Sequence, residues 1–191
     1  MDWEKRKKQV LERLQQEGAR VDKGILVCLD AINSLPHYYT TSSCEGRVCI
    51  LDMSAVGDKI GAVFRGKWHY LPEIGDAVSA IKECKSNGYL RMDPPIIHAV
   101  AVDTDSASRL IELGLSSGFK RSCIKSLTRT KITVELASTE VMEVPLTRDS
   151  SVLVSKEYLM HLLLDAGLRL SRGREKLKRL NAHLVEESLK Y

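Results

Sequence analysis

No stretch of this 191-residue chain offers the roughly 20 consecutive apolar residues that a membrane-spanning helix needs; the longest apolar run, Ile96 to Val102, is interrupted by His98. Behind the charged start, Met-Asp-Trp-Glu-Lys-Arg-Lys-Lys, there is no apolar h-region, so no secretory signal peptide is expected. Cysteine is odd in number and scattered: Cys28, Cys44, Cys49, Cys84 and Cys123 read as reduced thiols rather than a disulfide framework. Cys44 and Cys49 form a C-x4-C that no second pair answers, so no metal site is expected. Asn and Gln together number only six, an economy in heat-labile amides. The chain has no G-x-G-x-x-G after a strand, no G-x4-G-K-[ST], no H-E-x-x-H and no G-x-S-x-G, which excludes the usual Rossmann, P-loop, zincin and hydrolase readings. Internal repeats, low-complexity tracts and Pro/Ser-rich linkers are missing too. What remains is a soluble, cytosolic chain forming a single domain over residues 1–191.

Apolar residues at 43% and charged residues at 28% are globular values. The formal charge of +4 permits an anionic partner without demanding one. Its distribution is uneven. Residues 119–131 hold five cations and no acid, and residues 169–179 hold six cations and one acid. Each block alone reads as a solvated face; two in a nearly neutral chain make a phosphate-tracking surface.

Periodicity predicts a helix over residues 2–17, with Trp3, Val10 and Leu14 on one face, Lys5 to Lys8 on the rest, and Gly18 as its stop. Asp22 is placed to cap a second helix carrying Ile25, Cys28, Leu29 and Ile32, which Pro36 ends. Tyr38 to Ser42 should be extended, turn at Ser43 to Gly46, and return as a hairpin strand from Arg47. A strand over Lys67–Leu71, a helix over Ile74–Cys84 ended by Asn87-Gly88, and strands Tyr89–Met92 and Ile96–Val102 follow. Thr104 or Asp105 should cap the next helix, after which strands 119–127, 129–137 and 140–146 suggest a meander. A helical region from Ser155 to about Ser188 closes the chain, with Gly167 and Gly173 expected to break or bend it. The order predicts an α+β, non-Rossmann fold: a mixed, largely antiparallel sheet flanked by helices, with a long C-terminal helical region.

The densest polar cluster is Tyr38-Tyr39-Thr40-Thr41-Ser42-Ser43-Cys44-Glu45-Gly46-Arg47. Two readings stand open: an ordinary hairpin turn, or a polar nest in which turn amides and Arg47 face an anion or a base edge. His98, in an otherwise apolar strand, is either a hydrogen-bonded core residue or a proton acceptor near neutral pH. Trp68, in Arg65-Gly66-Lys67-Trp68-His69, either stacks on a splayed base or fills core.

The segment Tyr38 to Arg47 closely resembles the signature of the tRNA wybutosine-synthesising protein 3 family. Gly66-Lys67-Trp68, Pro94-Pro95-Ile96-Ile97-His98, Ser117-Gly118-Phe119-Lys120-Arg121-Ser122 and Glu143-Val144-Pro145-Leu146 extend the likeness in the family's order over roughly residues 5 to 185. The resemblance implies an α+β fold outside the Rossmann methyltransferases. It also implies an S-adenosylmethionine-dependent methyltransferase acting on a tRNA, at the ring nitrogen N-4 of the tricyclic guanosine derivative beside the anticodon of phenylalanine tRNA. The runner-up is a non-catalytic RNA-binding module.

On the methyltransferase reading, Ser42, Ser43 and Cys44 orient the base or the cofactor. Arg47 holds a phosphate or the methionine carboxylate, and His98 accepts the proton. Thr41, Lys67, Trp68, Lys120, Arg121 and Ser122 contact the RNA. No residue is assigned to the cofactor, because no nucleotide motif is present. Two positions depart from the family pattern. Glu45 follows the signature cysteine where Ser is usual, and Leu71-Pro72-Glu73 stands where a His is often found. A carboxylate at the first either weakens phosphate attraction or serves as a base.

Overall fold

The computed structural model describes residues 3–16, 21–55, 57 and 60–191. Helix α1 (Trp3–Gln16) forms as its periodicity predicts, while Gly18 lies outside the described residues. Lys7 is an exception to the expected polar face: it is buried, and its Nζ donates to the Leu35 carbonyl. A single 3-10 turn (Lys23–Ile25) leads into α2 (Leu26–Ser34), whose predicted apolar stripe, Cys28, Leu29 and Ile32, is buried. Asp22 does not cap this segment through its side chain; its carboxylate accepts the Glu45 N–H instead, at 3.0 Å.

Nine of the remaining elements follow in order: β1 (Tyr38–Cys44), β2 (Arg47–Met53), β3 (Val63–Trp68), α3 (Ile74–Lys82), β4 (Asn87–Asp93), β5 (Ile96–Ala101), α4 (Thr104–Ser116), β6 (Cys123–Leu127) and β7 (Ile132–Ala137). Then come β8 (Met142–Pro145), a two-stranded ribbon of β9 (Thr147–Arg148) and β10 (Ser151–Val152), and α5 (Lys156–Ser188). The α+β class, the antiparallel pairing and the long C-terminal helix are as expected, but the strands form two four-stranded sheets. Their orders are β1-β5-β7-β6 and β3-β2-β4-β8.

The predicted β1–β2 hairpin therefore does not exist: β1 pairs with β5, and β2 pairs with β3 and β4. The reason is burial. Val48 to Met53 are buried on both faces, as a central strand requires, whereas β1 is half-exposed beyond Thr40. Gly46, at φ +94°, lets the chain leave one sheet for the other. The predicted three-strand meander fails in the same way, because β8 pairs with β4 rather than β7. Its first strand also starts late: residues 119–122 form the turn closing α4, with Gly118 at φ +98° and the Phe119 N–H donating to Gly114 O at 2.9 Å. Asn87 and Gly88 begin β4 instead of ending a helix. Asp103, one residue earlier than expected, caps α4 by accepting the Ser106 N–H at 2.7 Å.

The chain divides into two compact units, one of Met1–Glu45, Pro95–Thr139 and Gly173–Tyr191, the other of Gly46–Pro94 and Glu140–Arg172. In the first, one face of the β1-β5-β7-β6 sheet buries Ile97, Ala99, Val134 and Leu136 against Ile32 of α2, Leu110 of α4 and Leu180 of α5. In the second, Val48, Ile50, Leu90 and Met92 pack against Ala77 and Ile81 of α3 and Leu159, Leu163 and Leu170 of α5. Each buried Val, Leu, Ile or Met side chain among these stabilises its core by about 1.5–3 kcal/mol. Helix α5 runs unbroken through both expected break points. Gly173 is required for close approach: a Cβ there would lie 2.7 Å from Pro95 Cδ.

Candidate proton-transfer site on an open sheet face

Strand alternation divides the signature segment. Ser42 lies opposite His98, Ser43 opposite the core residue Ile97, and Cys44 opposite Ile96. Ser42 and Cys44 thus share the face that carries His98, while Ser43 projects from the other. A β-bulge between Thr40 and Ser42 sets this register. The bulged Thr41 donates its hydroxyl to His98 O at 3.3 Å, tying the bulge to β5.

A polar row runs across all four strands on this face. Ser42 Oγ is 2.9 Å from His98 Nδ1; His98 Nε2 is 2.8 Å from Glu135 Oε2; Lys125 Nζ is 3.0 Å from the same Glu135 oxygen. The Ser42 residue is exposed, the His98 side chain is 24% exposed and that of Glu135 only 13%. Burial alone would raise the Glu135 carboxyl; hydrogen bonds from His98 and Lys125, with the Lys125 charge, outweigh it and hold it below the ordinary carboxylate range. Helix α1 meets this face at its far end, where Trp3 lies against Tyr39 with ring centroids 5.3 Å apart. Sequence alone does not single out Glu135, and it marks Lys125 only as one cation of the 119–131 block. Glu135 carries the only available signal, an acid at an outward position of an alternating strand, and it becomes informative only once β7 is known to pair with β5 in a register opposing it to His98.

Three other expected site residues lie in the turn after α4, in the same unit. Lys120 is exposed and donates to Leu115 O at 2.9 Å; Arg121 is exposed; Ser122 donates to Phe119 O at 2.6 Å. Together with the wholly exposed strand β6, they present the cations of the 119–131 block to solvent. Glu45, the departure from the family pattern, is 9% exposed and turned inward, so that a Cβ on Gly24 would meet its Oε2 at 2.0 Å.

The remaining three belong to the second unit. Arg47 Nε donates to Asp93 Oδ2 at 2.9 Å, and its guanidinium lies 5.4 Å from the Phe64 ring centroid. Arg91 Nε donates to the other Asp93 oxygen at 2.7 Å. Lys67 is exposed on β3, whereas Trp68 is half-buried against the second core and lies over Gly66, where a Cβ would come within 1.9 Å of its ring. His69 Nδ1 sits 3.0 Å from Gly46 O, so this imidazole is engaged with the carbonyl of the glycine at the start of the second unit.

The family described as Methyltransferase TYW3 matches residues 5–186. Among curated relatives, the Pyrococcus furiosus tRNA(Phe) 7-((3-amino-3-carboxypropyl)-4-demethylwyosine(37)-N(4))-methyltransferase 1 is 39% identical over 186 residues, covering 96% of this chain and 95% of its own. The corresponding enzyme of Thermococcus sibiricus is 40% identical over 179 residues, covering 91% and 90%. Among solved structures, the PH1069 protein from Pyrococcus horikoshii superposes with a TM-score of 0.90 at 37% identity, covering 95% of each chain.

Proposed function

Since the chain belongs to the Methyltransferase TYW3 family, we propose that it transfers a methyl group from S-adenosylmethionine to the N-4 ring nitrogen of the tricyclic wybutosine precursor beside the anticodon of phenylalanine tRNA. The whole of residues 1–191 serves as one methyltransferase domain in the cytoplasm: neither compact unit is a continuous segment, and the family match spans both. The observation that carries the chemical reading is the Ser42–His98 contact, made by the signature strand on a face open to solvent.

Methylating a ring nitrogen that bears hydrogen requires a proton acceptor and a held geometry. His98 is the acceptor, with Ser42 and Cys44 orienting the base on the same face. Thr41 holds the bulge that sets this geometry, and Ser43 supports the strand from its other side. The ring nitrogen is itself the nucleophile, so no covalent bond to Cys44 is needed. Lys120, Arg121 and Ser122 contact the RNA from the turn after α4, as Lys67 and Trp68 do from β3.

The chemistry of the residues present fits the methyl donor at one point. Arg47, anchored by Asp93 and laid over Phe64, is an oriented guanidinium of the type that binds the methionine carboxylate, or a phosphate, in two-pronged fashion. When bound, S-adenosylmethionine supplies an electrophilic methyl carbon whose bond to sulfur breaks with its electron pair staying on sulfur.

The alternative, a non-catalytic RNA-binding module, draws on the exposed cations of the 119–131 block. Calorimetry separates the two, since the enzyme binds S-adenosylmethionine and a bare RNA module does not. In the test of the site, Ser42→Ala and His98→Ala variants that keep the wild-type thermal transition lose at least about tenfold in methylation rate. Full methylation by both would refute the assignment.

A further inference from the structure

In an imidazole that works as a base, one nitrogen must carry the lone pair toward the incoming proton and the other must hold its hydrogen elsewhere. Which nitrogen does which is set by the partners. On the His98 face these partners come from three strands: Ser42 of β1 at Nδ1, Glu135 of β7 at Nε2, and Lys125 of β6 behind Glu135. An ionised carboxylate only accepts hydrogen bonds. A neutral His98 lying 2.8 Å from Glu135 Oε2 through Nε2 therefore keeps its hydrogen on Nε2 and its lone pair on Nδ1. Ser42, whose hydroxyl can donate, completes the arrangement at 2.9 Å.

We infer that Glu135, held in place by Lys125, is a positioning residue that fixes His98 in the Nε2–H tautomer and aims its basic Nδ1 at Ser42 and the open face. The inference rests on the reading of His98 as proton acceptor, and it adds two residues to that reading, neither of which is in the signature segment. The step balances simply. The ring N–H proton passes to Nδ1, either directly or through Ser42, whose own hydroxyl proton moves on as it takes up the substrate's. The ring nitrogen keeps the electron pair that forms its bond to the methyl carbon. The resulting imidazolium donates through Nε2 to the Glu135 carboxylate, which stabilises the positive charge, and the proton on Nδ1 is afterwards lost to water. Glu135 does not touch the substrate in this scheme; it acts through His98.

Lys125 has a definite part. Among the described residues it supplies the ion pair to Glu135 besides His98. By keeping Glu135 ionised it preserves the carboxylate as an acceptor. Its own strand is at the edge of the sheet, and a register shift between Ile124 and Ser126 marks a bulge at this residue. Both ends of the row thus lie at a register shift, at Thr41 and at Lys125.

The test uses the full chain labelled with 15N-histidine, with the His98 signals identified by their absence from a His98→Asn spectrum, and methylation kinetics on precursor tRNA for each variant. In the wild type, Nδ1 should resonate as an unprotonated ring nitrogen and Nε2 as a protonated one. Glu135→Ala should mix the two tautomers and lower kcat about 10- to 100-fold with little change in KM. Glu135→Gln, whose side-chain oxygen still accepts from Nε2–H, should keep the tautomer and recover part of the loss. A wild-type Nδ1–H tautomer, or a tautomer unmoved by Glu135→Ala, overturns the inference, as does a shifted tautomer with unchanged kcat. Unimpaired methylation by His98→Ala would instead remove the proton-acceptor reading itself. A Glu135→Ala enzyme at full rate, beside an inactive His98→Ala, refutes only the part given to Glu135.

Discussion

Asp52 is the most heavily engaged carboxylate of the second unit. One oxygen accepts from Arg65 Nε at 3.2 Å, Arg65 Nη2 at 2.7 Å and the Lys85 N–H at 2.8 Å, and the other accepts the Ser86 N–H at 3.0 Å. Burial alone would raise this carboxyl; the donors from Lys85, Arg65 and Ser86 outweigh it and hold it below its ordinary range. Removing it would leave the Arg65 charge and two backbone N–H groups without their partner. Asp52→Ala should therefore cost about 3–5 kcal/mol, read as a lower urea midpoint with an unchanged slope. A loss below about 1 kcal/mol would show that solvent replaces the partner. Glu45 and Lys7 follow the same rule of inward charges tied to backbone or packed against it, so their residue types alone misstate which way they face.

At the scale of elements, α4 and the end of α5 are joined by an ion pair. Arg109 donates to Glu187 through Nε at 3.1 Å and Nη2 at 2.6 Å, and Lys190 adds a third bond at 2.7 Å. Hydrogen bonds from Arg109, then Lys190, lower the Glu187 carboxyl to about 2. Because the folded value lies below the unfolded one of about 4.3, the pair's contribution is complete above that pH. It is lost as pH falls toward about 2. Glu187→Gln should cost about 1–2 kcal/mol at pH 7, and in urea titrations the gap to wild type should narrow below about pH 4 and close only as pH approaches about 2. A gap that persists at low pH would contradict an electrostatic origin.

Helices were legible in the sequence because their contacts are local: the stripe of α2 and the run of α5 follow from spacing alone. Strand partners were not. Nothing between Cys44 and Arg47 distinguishes a hairpin from a crossing between sheets, and the deciding fact, the two-sided burial of β2, is a property of its neighbours. Gly173 misled for a related reason, since Pro95, the residue it makes room for, is far away in sequence. The candidate site divides along the same line. Ser42 and His98 could be singled out individually, but Glu135 reads as a solvated acid until the register joins it to His98.

At the scale of the whole molecule, the chain passes four times between its two units, and α5 contributes residues to both cores. No described helix is long and apolar enough to cross a membrane. The excess charge is modest, but its cations gather in two blocks: residues 119–131, from the turn after α4 through β6 to the start of β7 in the unit that carries His98, and residues 169–179 on α5. The proposed enzyme grips RNA by its backbone through these cations and works on one base through His98. The most direct measurement is mass spectrometry of nucleosides from phenylalanine tRNA incubated with the purified protein and S-adenosylmethionine. The tRNA is supplied either with the unmethylated tricyclic precursor or with an unmodified guanosine at that position. The precursor nucleoside should gain one methyl group on its ring nitrogen, and the unmodified tRNA should gain none. A folded protein that binds S-adenosylmethionine yet leaves the precursor unchanged would contradict it.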